Sequence, residues 1–180
     1  MNVTKTEKRW IPNKLERKWV YLSLALAIVI VGWGIWQYSQ LPSDSFHTRG
    51  FKGIFKNYGS LARITLFAVL AHYVFLFIFQ KKWLDPWAAV KKLIIPLAKL
   101  ARKWHTPVAI LSIALIVLHV IGAFLYGIKL NFSNVSGLLA LAVLLPVPIS
   151  GLFRYRRLDK QWHLRFGLGF AVLFLIHAFL

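Results

Sequence analysis

Five stretches of the chain are almost wholly apolar, over 19–38, 59–79, 104–126, 134–153 and 162–180. About 20 apolar residues at a rise of about 1.5 Å span a hydrocarbon core of about 30 Å, so each stretch predicts a transmembrane helix. The first follows a basic segment, as a signal peptide does, but its apolar core is too long and no A-x-A site follows it. Between the second and third stretches the pattern becomes periodic. Asp85-Pro86 reads as an N-cap with proline at the first helical position. Trp87, Val90, Ile94, Leu97, Ala101 and Trp104 then recur at three- and four-residue spacing, with Lys91, Lys92, Lys99, Arg102 and Lys103 off that stripe. This predicts an amphipathic helix over 85–103 in the membrane interface on the cytoplasmic side, bent at Pro96. Residues 39–58 contain Pro42, Gly50 and Gly53 and predict a loop or a short half-helix, while Pro146 and Pro148 predict bends in the last turns of the fourth span. The expected class is an all-α integral membrane protein. A cytoplasmic segment, 1–18, precedes a single membrane domain, 19–180, of about five transmembrane helices and the interfacial helix.

Composition supports a membrane domain, since 58% of the 180 residues are hydrophobic and the mean hydropathy is +0.61. Charge changes the picture more. A formal +18 in a soluble protein would suggest nucleic acid, but here the sign follows the loops. The segments 1–18, 80–103 and 154–165 hold 18 Lys and Arg, and the intervening ones hold 5. The positive-inside rule therefore places the amino terminus in the cytoplasm and Leu180 at the outer face of the cell membrane. The partner implied is the lipid membrane and not nucleic acid. With no cysteine, disulfides, Fe–S clusters and thioether-linked haem are excluded.

The candidate chemistry is histidine. His105 and His119 in the third span, and His163 and His177 in the fifth, have the same spacing of 14 residues. Fourteen helical steps return to within about 40° of the starting direction and advance roughly 21 Å, so each helix shows two imidazoles on one face at two depths. One span separates these helices, so they run parallel, which sets His105 at the depth of His163 and His119 at the depth of His177. Two facing pairs form the ligand set for two six-coordinate haems held without covalent attachment. Interhelical hydrogen bonding is the plainer role for a histidine in a span. A zinc or copper site would instead need three or four ligands converging at one point. The spans hold no Asp or Glu, which argues against a proton or cation transporter. Gly122, Gly167 and Gly169 would let a flat ring approach the backbone. Phe170, seven residues from both His163 and His177, fits either a position between two haems or ordinary packing. Pro107 suits a helix start and puts His105 near a helix end. His72 in the second span fits a hydrogen-bonding role or a third ligand.

WHTPVAILSIALIVLH and WHLRFGLGFAVLFLIH resemble the third and fifth helices of the transmembrane domain shared by NADPH oxidases and ferric reductases. QYSQLPSDSFHTRGFKGIFKNYGSLAR resembles that family's first loop and the start of its second helix. The resemblance covers most of residues 38–180. It implies two b-type haems, the inner on His105 and His163 and the outer on His119 and His177. It also implies single-electron transfer from a cytoplasmic donor to oxygen, ferric iron or a similar acceptor. Arg63 matches the arginine that helps form the acceptor pocket near the outer haem, and as a residue it also fits a charged anchor at a helix end. His47 is a further candidate near that pocket. The family continues into a sixth helix and a domain binding flavin and nicotinamide nucleotide, whereas this sequence stops at the fifth span and holds no Gly-rich dinucleotide fingerprint. The expectation is therefore either a piece of a longer chain or a subunit needing a separate donor, a flavoprotein reductase or quinol, with an additional membrane subunit as a further candidate partner. Haem-linked quinol oxidation, haem handling and a haem-free scaffold are the alternatives.

Overall fold

The computed structural model describes residue 11, residues 13–155 and residues 161–180. Most of the amino-terminal segment 1–18, and Arg156, Arg157 and Lys160 of the basic loop, lie outside the described residues. All regular structure among the described residues is helical. The helices are α1 (Lys14–Ser39), α2 (Arg49–Gln80), α3 (Ala88–Tyr126), α4 (Phe132–Leu144), α5 (Pro146–Tyr155) and α6 (Trp162–Phe179), with a turn of 3-10 helix at Ser43–His47. Taking Phe132–Phe153 as one, five helices among the described residues are long and apolar enough to cross a membrane. The chain divides into two compact units, one of Lys18–Ile128 and one of Lys129–Leu180 with residues up to Arg17.

In the unit Lys18–Ile128, α2 packs antiparallel along α3. α1 starts where Asn13 Oδ1 accepts the amide of Leu15 at 2.9 Å, leaving Glu16 in a first turn where its charge suits the helix dipole. Its apolar run opens at Trp19, directly after Lys18, and that of α3 opens at Trp104, directly after Lys103. These two indoles meet at 5.0 Å between ring centroids, so both apolar runs begin at one level. Farther along, Gly34 of α1 lies so close to Leu118 that any Cβ there would collide with that side chain, and the Tyr38 hydroxyl donates to Leu118 O at 3.1 Å.

Three element boundaries differ from expectation. The start expected at Asp85-Pro86 is displaced, since the helix begins at Ala88 with Trp87, not Asp85, at the N-cap. α2 begins at Arg49, with Thr48 Oγ1 accepting the Phe51 amide at 3.2 Å, so part of the predicted loop is helix. Gly50 and Gly53 each cost a helix about 1 kcal/mol. That cost is outweighed by burial of Phe51 and Phe55, which are 2% and 6% exposed in a cluster with Tyr38 and Leu118. The predicted interfacial helix and third span form one 39-residue helix, α3, with Pro96 and Pro107 inside it. Pro107 is therefore not a helix start, and His105 lies within the helix. Pro107 is fully buried, and its packing offsets the lost backbone bond. α3 ends at Gly127, whose φ of 99° is the left-handed conformation that stops a helix cheaply.

In the unit that contains Lys129–Leu180, α4 and α5 pack on α6. Asn131 caps α4 by accepting the Asn134 amide at 2.9 Å. Pro146, which lacks an amide hydrogen, divides the predicted fourth span, yet Leu145 keeps helical dihedrals, so the chain continues in nearly the same direction.

These contacts assign opposite effects to two glycines of unit Lys18–Ile128. Gly122→Val should force Phe55 and Tyr38 apart and cost about 1–3 kcal/mol. Gly53→Ala, with nothing near the added methyl, should stabilise α2 by up to about 1 kcal/mol. Thermal unfolding in detergent, followed by far-ultraviolet circular dichroism, checks both signs.

Candidate functional site

All four candidate histidines are held in the same way. His105 Nδ1 is 3.2 Å from Val69 O and His119 Nδ1 is 2.9 Å from Phe55 O, both on α2. His163 Nδ1 is 3.0 Å from Val147 O on α5, and His177 Nδ1 is 2.9 Å from Ser133 O on α4. A carbonyl oxygen only accepts, so Nδ1 must carry the proton. In a neutral ring Nε2 is then the lone-pair nitrogen, the atom through which such an imidazole ligates a metal. Metal-ligating histidines commonly donate their other N–H to a backbone carbonyl, which fixes ring orientation and raises ligand basicity.

The packing beneath the rings repeats as well. The carbonyl residues stand 14 apart, as the histidines do: 55 and 69 on α2, 133 and 147 across α4 and α5. Three of the four rings rest on a glycine four residues beyond the carbonyl they bind. A Cβ at Gly59 would stand 2.7 Å from His119 Nδ1, one at Gly137 2.9 Å from His177 Cε1, and one at Gly151 3.2 Å from His163 Cε1. Both units thus contain one pattern, helical carbonyls 14 residues apart followed by an antiparallel helix carrying two histidines, with a glycine notch at three of the four positions. Next to the notches, Ser136 and Ser150 donate to the carbonyls of Ser133 and Val147 at 2.9 Å each, and their hydroxyls lie 3.4 Å from Nδ1 of His177 and His163.

His105 breaks the pattern. At the two positions held elsewhere by Tyr58-Gly59, Ser136-Gly137 and Ser150-Gly151, α2 has His72-Tyr73. Tyr73 stands edge-on to His105 with ring centroids 5.4 Å apart, and His72, 8% exposed, lies 5.1 Å from it. His72 is therefore the buried neighbour of a candidate ligand. Phe170 is buried and stacks on Phe174 at 6.0 Å. Arg63 is exposed in the middle of α2, not at a helix start, one turn beyond the glycine under His119. His47 holds the end of α3 through Nδ1, 3.0 Å from Tyr126 O. At the opposite end, exposed Asp85 lies 2.7 Å from Lys91 Nζ, and that hydrogen bond holds its carboxyl below the usual range.

Of the glycines singled out in the sequence, Gly122 packs on Phe55 and Tyr38, and a Cβ added at Gly169 would stand 3.5 Å from Val143 Cγ1. The glycines under the rings are Gly59, Gly137 and Gly151. Their signal was present in the Ser-Gly pairs at 136–137 and 150–151, spaced like the histidines. No protein-family model matches the chain, and no curated protein or solved structure shows significant similarity to it.

The hydrogen bonds specify a tautomer that can be measured. Imidazole ¹⁵N chemical shifts of labelled protein at neutral pH should report Nδ1–H for His119 and His177. Gly59→Ala and Gly137→Ala should disturb His119 and His177 respectively, while Gly169→Ala leaves both rings unchanged. An Nε2–H tautomer in the wild type would contradict the assignment.

Proposed function

We propose that this chain is the membrane domain of a di-haem b electron-transfer protein, similar to ferric reductases and NADPH oxidases. It would carry single electrons from a cytoplasmic donor to oxygen, ferric iron or a similar acceptor at the outer side of the cell membrane. One observation carries the reading: four imidazoles, two per helix at matched spacing, each with Nδ1 on a carbonyl and Nε2 as the lone-pair nitrogen. His105 and His163 would hold the inner haem, and His119 and His177 the outer. The donor set fits, because haem b held without cysteine needs neutral imidazoles presented in fixed orientation.

Haem, when bound, would supply a one-electron iron couple, held by the imidazoles of His105, His163, His119 and His177. The chain's own residues do the rest. The carbonyls of Val69, Phe55, Val147 and Ser133 hold the rings, and the glycine notches set three of them deep against the neighbouring helix. Phe170, midway between His163 and His177, would separate the two cofactors. Arg63 and His47 would supply positive or hydrogen-bonding groups to the acceptor. The lysines and arginines of 80–103 and 154–160 would receive a flavoprotein reductase or face a quinol donor, with or without an additional membrane subunit.

The same Nδ1 bonds favour one other reading, a haem-free scaffold whose histidines only link helices. Haem quantitation and a reduced-minus-oxidised spectrum of purified protein separate the two. The expected result is two b-type haems per chain, with the outer lost in His119→Ala and the inner in His163→Ala; protein that never takes up haem would leave the scaffold. Comparing the rates of haem reduction by a flavoprotein reductase and by a quinol would identify the donor.

A further inference from the structure

Where α2 departs from the glycine pattern, the hairpin opens. Just beyond His72, α2 and α3 leave a groove of about 200 Å³, lined by His72, Phe75, Leu76 and Phe79 on one side and by Ile95, Ala98, Lys99 and Arg102 on the other. Lys99 and Arg102 are three residues apart, hence on one face, and both are exposed above buried His72. Two fixed cations and an imidazole thus share a cleft whose walls are otherwise aromatic and aliphatic.

Residues 49–128 do not neutralise this charge among themselves. Residues 49–128 contain 11 Lys and Arg and a single acidic residue, Asp85. Asp85 is held by Lys91 at 2.7 Å. The counter-anion for Lys99 and Arg102 must then come from outside the hairpin. Both precede Trp104, where the uncharged run of α3 begins, which is headgroup depth if α3 crosses the membrane.

We propose that this groove binds the phosphate of an anionic phospholipid, with Lys99 and Arg102 as its charge partners, His72 as a hydrogen-bond donor and the start of an acyl chain along Phe75, Leu76, Phe79 and Ile95. The volume suits a headgroup phosphate with part of its glycerol, about the space of six or seven waters at about 30 Å³ each. The proposal rests on α2 and α3 crossing a membrane and is independent of haem.

The test uses full-length protein extracted with detergent and stripped of lipid. Recovery without detergent would refute the membrane premise, separately from the site. Native mass spectrometry with short-chain phosphatidylglycerol should detect one tightly held lipid per chain, and phosphatidylcholine should bind far more weakly. Taking roughly a fivefold effect for each cation in contact with the phosphate, K99Q/R102Q should weaken phosphatidylglycerol binding by roughly 30-fold. K91Q/K92Q, on the same helix outside the groove, should weaken it only a few-fold, and His72→Phe should displace the lipid while retaining both charges. Equal losses in the two double variants would reduce the effect to general surface charge and overturn the site. Displacement by millimolar inorganic phosphate would make it a free-anion site and overturn the lipid assignment.

Discussion

The structure depends on one constraint: the N–H of an imidazole in an apolar helix needs an acceptor on another helix, because the carbonyls of its own helix are already bonded. Four times the partner is a backbone carbonyl of a neighbouring antiparallel helix. A carbonyl offers no alternative proton arrangement, so the contact that holds the helices together also sets the tautomer. Where glycine lies beneath, the ring reaches the backbone itself, and the helices approach closely at those points. Helix pairing and the fixing of the tautomer are therefore the same interaction, repeated at an interval of 14 residues on both partners.

Much of this was legible in the sequence. The five apolar stretches could be counted because a hydrocarbon core sets a minimum length that few soluble segments reach. The histidine spacing was legible because helical geometry converts 14 residues into a shared face. The start of α2 was not, because Gly50 and Gly53 are local signals against a helix, while the burial that overrides them joins Phe51 and Phe55 to Tyr38 and Leu118 across the sequence. Pro107 misled for the same reason, its burial in the unit being invisible to a local rule. The carbonyl partners were beyond reach, since backbone carries no sequence signal. The Ser-Gly pairs opposite His163 and His177 were the readable trace of them.

The two units differ in a way that bears on direction. In the unit of α4, α5 and α6 both notches are Ser-Gly, so both rings have a serine hydroxyl beside the carbonyl. In the α2–α3 hairpin one notch is Tyr58-Gly59 and the other His72-Tyr73, at the end that leads into the basic half of α3. α3 has 39 residues, about 58 Å at 1.5 Å per residue, nearly twice a hydrocarbon core of about 30 Å. Its uncharged half is long and apolar enough to cross a membrane, and its charged half carries exposed Leu93 and Leu97 beside its lysines and arginines. Under the proposed function, the irregular site and the surplus helix stand together on the side from which electrons arrive.

The central claim is that Nε2 of four histidines binds iron in two pairs. Low-temperature electron paramagnetic resonance of the oxidised purified protein tests it most directly. The account predicts two low-spin ferric species with bis-imidazole character and no high-spin signal, His105→Ala removing one species and His177→Ala the other. A high-spin ferric signal in the wild type, or spectra unchanged by these substitutions, would contradict it.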